Sequence, residues 1–255
     1  MLAIFPKVAE CALDQDVEKL ACMVRHYFGA DKGYRPQISV LEICESISLP
    51  VYKYDLNYAG ALVCKDQAGA FEACLFLNGN FATEFEREFT TAHMLGHFLL
   101  HIQPSIIRGE LKSRGFKEAV SVHERYAKGV YDGTREAALE KQADDFAASL
   151  FMPYGMLNRA RLRIGDNNKL ADFFGVPPGV LARRIQTISQ AELTPEPGLV
   201  HKNADVEHVP SPNFLQLYQT MDKAKAEPPR AEAPKSGKGM DRIREIARKL
   251  DAGVK

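Results

Sequence analysis

Half of the prolines in this 255-residue chain crowd into one stretch: seven of the fourteen lie between Ala191 and Met240. That stretch includes AEPPRAEAPKSGKG and is rich in Lys, Glu, Ala and Ser, a composition too poor in large apolar residues to build a core. The folded domain must therefore come from residues 1–190. The rest of the chain divides into a Pro-rich linker, 191–239, and an amphipathic C-terminal helix, 240–255. In that helix Met240, Ile243, Ile246, Ala247 and Leu250 share one face, with Asp241 as cap and Gly253 as stop. Such a face suits packing onto the domain or self-association. Inside the linker, NFLQLYQTM (213–221) is an apolar island suited to docking on the main body or on a partner.

Residues 1–190 alternate between two periods. Asp14 or Asp16 caps a helix carrying Val17, Leu20, Val24 and Phe28, and ISVLEICESISL (38–49) supplies a second. VYKYDL (51–56), GALVCK (60–65) and EACLFLN (72–78) are short β-prone runs separated by turn signals, and connections this short favour an antiparallel meander. Helical patterns then cover 84–102, 117–128, 134–152, 155–164, 168–174 and 178–189. Helices gathered around a small antiparallel sheet make an α+β domain.

Charge and cysteine usage narrow the role. With 33 basic and 33 acidic residues, no global field recruits nucleic acid or an anionic membrane. The five cysteines are odd in number, scattered and never spaced as CxxC, which argues against a disulfide framework and a thiolate metal site and fits a reducing cytoplasm. No run approaches the roughly 18 apolar residues of a membrane helix, and MLAIFPKVAE lacks the charged start of an export signal. A soluble, cytoplasmic protein is expected.

The chemistry concentrates in FTTAHMLGHFLLH (89–101). Histidines at i and i+4 project from one helical face, so His93 and His97 can offer imidazole nitrogens to a single ion at about 2.0 to 2.1 Å. A catalytic zinc takes a third protein ligand, which the HExxH motif finds in a later helix. TREAALEKQADDFAASLFMP offers Glu140 for that place. One turn on, Asp144 can accept a hydrogen bond from the far nitrogen of a ligating histidine and so fix its tautomer. His101 continues the four-residue step, but a drift of about 40° per step carries it away from His93 and assigns it a structural role.

Three segments together resemble the ImmA/IrrE-type metallopeptidases. They are FTTAHMLGHFLLH, EKQADDFAASLFMP (similar to the family's ExxAN-x-FAAxLLMP) and LADFFGVPPGVLARRI. The resemblance covers roughly residues 15–190 and implies a zincin-like domain with His93, His97 and Glu140 as zinc ligands. It also implies a bacterial or phage regulator whose protein partner is a helix-turn-helix repressor or similar factor, cleaved to relieve repression after stress.

The chain departs from that pattern at three places. Met94 stands where HExxH carries its glutamate, and a thioether cannot take a proton from water, so proteolysis should be weak or absent. Asp144 replaces the family's usual asparagine and makes a stronger acceptor for a ligand histidine. About 42 residues separate His97 from Glu140, and this longer connection carries His123 and Glu124, candidates to reach the metal or replace the missing base. His123 and Tyr154 are also candidates for stabilising an oxyanion.

Two other classes compete. Segment 168–189 has the spacing of a helix-turn-helix, with Arg183 and Arg184 offered to phosphates, but paired prolines at the entrance and the balanced charge speak against direct nucleic-acid binding. A metal-free scaffold that binds an extended partner segment along a sheet edge is the other.

Overall fold

The computed structural model describes residues 6–28, 38–67, 70–110, 113–118 and 121–193. The chain divides into units Met1–Gly198 and Leu199–Lys255. The docking island and the C-terminal helix expected in the second unit lie outside the described residues, as does the linker beyond Leu193.

Three helices open the chain: α1 (Pro6–Asp14), α2 (Val17–Tyr27) and α3 (Val40–Ser46). Three strands come next, β1 (Val51–Tyr54), β2 (Gly60–Gln67) and β3 (Ala70–Asn78). After them α4 (Glu84–His97) runs through a π-helical turn, Phe98–Ile102, into α5 (Gln103–Ile107). Strand β4 (Ser113–Glu118) and helix α6 (Val122–Lys128) lead to α7 (Arg135–Phe151), α8 (Tyr154–Ile164), α9 (Asn167–Phe174) and α10 (Pro178–Leu193). Asp16 caps α2 and Ser39 caps α3, each accepting from a backbone N–H three residues on. The helix expected over 117–128 begins later, because Lys117 and Glu118 belong to β4.

The sheet corrects the expected antiparallel meander. Its order is β1-β3-β2-β4, with β1 parallel to β3 and the other pairs antiparallel. The reason lies in residues 55–59, which step over the end of β3 instead of folding β1 back on β2. Asn78 pins that step: its Nδ2 donates to Leu56 O at 3.0 Å and its backbone N–H to Ala59 O at 2.9 Å.

Helix α4 lies at the centre. Every residue from Glu88 to Ile102 is buried, which is why this segment reads as mostly apolar. Thr83 caps it, accepting from Glu86 N at 3.1 Å, and Glu86 reaches back to Ala82 N at 3.1 Å. Glu88 spends its buried carboxylate on the start of α3, taking Val40 N–H at 2.7 Å. Phe89 packs on Phe151 of α7 with ring centroids 5.6 Å apart, and Phe85 and Tyr126 extend this aromatic joint. Gly96 sets how closely α4 and α7 approach: a Cβ there would meet Phe146 Cδ1 at 3.0 Å and Ala143 Cα at 3.2 Å. Among the described residues, no helix is long and apolar enough to cross a membrane.

Candidate metal centre

Close packing of α4 on α7 brings His93, His97 and Glu140 into one cluster, with one potential ligand atom from each lying within 4.8 Å of the others. Both histidines are fully buried, whereas the Glu140 side chain keeps 26% exposure and marks the open flank. His93 Nε2 lies 3.0 Å from His97 Nε2 and 3.3 Å from Glu140 Oε2, and His97 Nε2 lies 3.3 Å from Glu140 Oε1. Donors bonded to one tetrahedral ion at about 2.0 to 2.1 Å stand about 3.3 Å from one another, so these spacings suit a shared cation.

The partner behind each imidazole decides which nitrogen faces the cluster. Gln142 Oε1 can only accept, so His101 Nε2, 3.0 Å away, carries the proton. A neutral His101 then has a bare Nδ1, which accepts from His97 Nδ1–H at 2.9 Å. His97 Nε2 is thereby left with a lone pair toward His93 and Glu140. The π turn makes this possible: at five residues per hydrogen-bonded turn it rotates His101 back behind His97, cancelling the drift expected of a regular helix. Burial holds His97 down to about 3 and His101 to about 4, so both rings stay neutral.

His93 is braced by charge. Asp144 Oδ1 lies 2.8 Å from its Nδ1, close enough for a hydrogen bond although off the ring N–H direction. Asp144 is itself fully buried and held by three further contacts: Arg125 Nε at 3.0 Å, Arg125 Nη2 at 2.9 Å and Tyr131 Oη at 2.7 Å. Burial opposes charge on His93, but contact with Asp144 and Glu140 outweighs it and raises its pKa to about 9. Burial works equally against the carboxylates of Glu140 and Asp144, yet their contacts with the imidazoles hold both below the usual carboxylate range. Glu140 Oε2 is buried without a well-directed hydrogen bond, a further sign that the set fits a metal ion.

The other expected residues lie elsewhere. Met94 is fully buried within the apolar core, where its thioether fills space. His123 sits with Ser121 Oγ at 3.0 Å and packs edge-on against Phe85, two turns of α4 before His93. Glu124 is exposed and pairs with Lys128. Tyr154 opens α8, where its N–H donates to Glu18 Oε1 at 2.7 Å. Arg184 is buried, bonded to Glu18 and to Met152 O, so one of the two arginines of the helix-turn-helix reading is unavailable to phosphates.

The long connection contributes residues that sequence reasoning missed. Arg125, Tyr131 and Glu118 enter the cluster where His123 and Glu124 were expected. Glu118 Oε2 lies 2.6 Å from Arg125 Nη1 and 3.5 Å from His93 Nε2, and Arg125 Nη2 lies 3.1 Å from Glu140 Oε2. Burial pushes the Glu118 carboxyl above the usual range, against the pull of His93 and Arg125. Gly96 was readable, since a glycine between two histidines on a buried helix signals close approach.

The family model for the IrrE N-terminal-like domain, Peptidase M78, matches residues 51–186, which hold all three cluster residues. Metallopeptidase ImmA of Bacillus subtilis (strain 168) is 28% identical over 152 residues, 59% of this chain and 76% of that protein. The family implies a metal cofactor, and the cluster supplies donors of the right kind. With the family model spanning more than half of its length, the chain belongs to the Peptidase M78 family of IrrE N-terminal-like domains.

Proposed function

We propose that this protein is a zinc-holding regulator of the ImmA/IrrE type in which His93, His97 and Glu140 bind the ion and proteolysis is weak or absent. One observation carries the reading: two braced imidazoles and a carboxylate converge at 3.0–3.3 Å, next in sequence to a fully buried methionine. Zinc, when bound, polarises a carbonyl and lowers the pKa of water. The chain's own part is to fix both imidazoles, His93 through Asp144 and His97 through His101. Met94 has no site for a proton, and loss of a positioned general base costs about 10² to 10⁴ in rate.

The partner is a transcriptional repressor or similar regulator, bound and sequestered rather than efficiently cut, in a cytoplasmic stress response. Family likeness supports the partner class, and five scattered cysteines with no CxxC spacing suit a reducing compartment. The test pairs metal analysis of the wild type and His93→Ala with cleavage assays of helix-turn-helix repressors by the wild type and Met94→Glu. One zinc per chain, lost in His93→Ala, is expected, together with cleavage that is at least about 10²-fold faster in Met94→Glu. Equal cleavage by both forms would overturn the role assigned to the missing base.

A further inference from the structure

Arg87, Arg108, Arg125 and Arg184 each hold a carboxylate. Arg159, Arg161 and Arg163 of α8 are exposed, and none of them has an acidic partner among the described residues. The sequence explains why: YGMLNRARLRI contains no acidic residue, and the positions four before and four after these arginines are Gly155, Leu157, Arg159, Arg163, Gly165 and Asn167. Asp166, three residues after Arg163, spends its carboxylate on the start of α9, accepting from Lys169 N at 2.8 Å. A step of about 100° per residue sends Arg159 and Arg163 down one flank of α8 and Arg161 down the other. Each flank borders a hollow. One, of about 540 Å³, is lined by Arg161, Leu162 and Leu170; the other, of about 430 Å³, by Met156, Ile164 and Phe173 together with Arg159 and Arg163. Leu162 is 89% exposed and Phe173 of α9 39% exposed. A stray exposed leucine is ordinary, but this one sits among three arginines without carboxylates.

We infer that the exposed side of α8, with Phe173 of α9, is a docking surface for a partner protein, and that the segment it takes is acidic and carries large apolar side chains. The inference rests on the reading of this chain as a regulator with a protein partner, and adds the chemistry of the contact. Three guanidiniums without carboxylates among the described residues call for carboxylates from the partner. The hollows take apolar side chains, and Arg, Met and Phe are residue types that interface centres favour. A nucleic-acid backbone fits less well: phosphates offer nothing to Leu162 or Phe173, and the exposed Asp166 and Asp172 of the same helix pair would repel them. The surface is also separate from the cation site. Helix α7 rises about 16 Å from Glu140 to Phe151, and α8 begins beyond its end. A partner segment held there touches no ligand of the cluster.

Fluorescence anisotropy tests this, with the full chain titrated into three labelled probes at one salt concentration: a helical peptide of glutamate and leucine, a peptide of glutamate and alanine, and a DNA duplex. The leucine peptide should bind at least about tenfold more tightly than the other two, because a buried leucine adds what charge alone does not. Arg159→Glu combined with Arg163→Glu should weaken its binding at least about tenfold. Leu162→Ser should weaken it by a smaller factor, and all three positions are exposed, so the fold is retained. Absent binding, equal binding of the three probes, or peptide binding that survives charge reversal at Arg159 and Arg163 overturns the inference. Tighter binding of the duplex, lost in the same double variant, assigns the surface to nucleic acid and overturns it as well. His93→Ala should bind the leucine peptide as the wild type does while losing zinc. Zinc retained in that variant would overturn the ligand set and leave the docking surface standing.

Discussion

The two imidazoles facing the cluster are held by opposite means. His93 leans on a buried carboxylate that is gripped by a guanidinium and a phenol, whereas His97 leans on a neutral relay of His101 and Gln142. Charge makes His93 electron-rich and willing to carry a proton. The relay fixes which nitrogen of His97 is bare and keeps that ring uncharged. A pair built this way offers a cation one strongly polarised donor and one neutral donor, and each side fails by a different route.

The largest effect should come from the charged side. Asp144→Ala strips Arg125 of its two-point partner in the interior, and breaking such a pair costs about 3–5 kcal/mol; urea unfolding of the metal-stripped protein measures it. Asp144→Asn should cost less, because an acceptor for His93 remains.

Gly96→Ala acts on both sides together, since it forces α4 away from Ala143 and Phe146. Overpacking of this kind costs about 1–3 kcal/mol, and zinc affinity should fall with stability. Unchanged affinity in that variant would show that the helix spacing is not what sets the cluster.

His101→Leu removes the acceptor behind His97 and should lower zinc affinity about 10- to 100-fold without loss of fold. Chelator competition reads this directly. An equal loss in His101→Leu and Asp144→Asn would mean that the two braces do not differ in kind.

The pH dependence of the metal-stripped protein sharpens the contrast further. His93, raised to about 9, contributes stability that is complete below its unfolded pKa near 6.5 and is lost as pH climbs through 9. His97 and His101, lowered to about 3 and 4, work the other way: below 6.5 the unfolded chain takes up protons that the native rings refuse, and stability falls with pH. A maximum near 6.5 is expected in chelator, with the acid arm shallower in His101→Leu.

Local patterns in the sequence located most helices and three strands because burial imposes period on each element separately. Strand order was not legible, since the step of residues 55–59 over β3 depends on one asparagine side chain meeting a distant carbonyl. His93 and His97 were visible because helical spacing puts like chemistry on one face, and Glu140 because the HExxH pattern calls for a third ligand on a later helix. Glu118, Arg125 and Tyr131 were not, for they sit in a connection with no period of its own and acquire meaning only through the register of β4 on β2. His101 lay between these cases: its residue type was suggestive, but nothing in FLLHI announces a widened turn.

That widened turn between Phe98 and Ile102 counts residues more strictly than it reads them. A regular helical turn in its place would carry His101 about 40° out of line with His97, even though the backbone would be more ordinary. Swapping one aliphatic side chain for another there should be forgiven, whereas a change that drives the turn into regular α-helix without altering the residue count should strand His101 on the wrong azimuth and leave His97 free to flip.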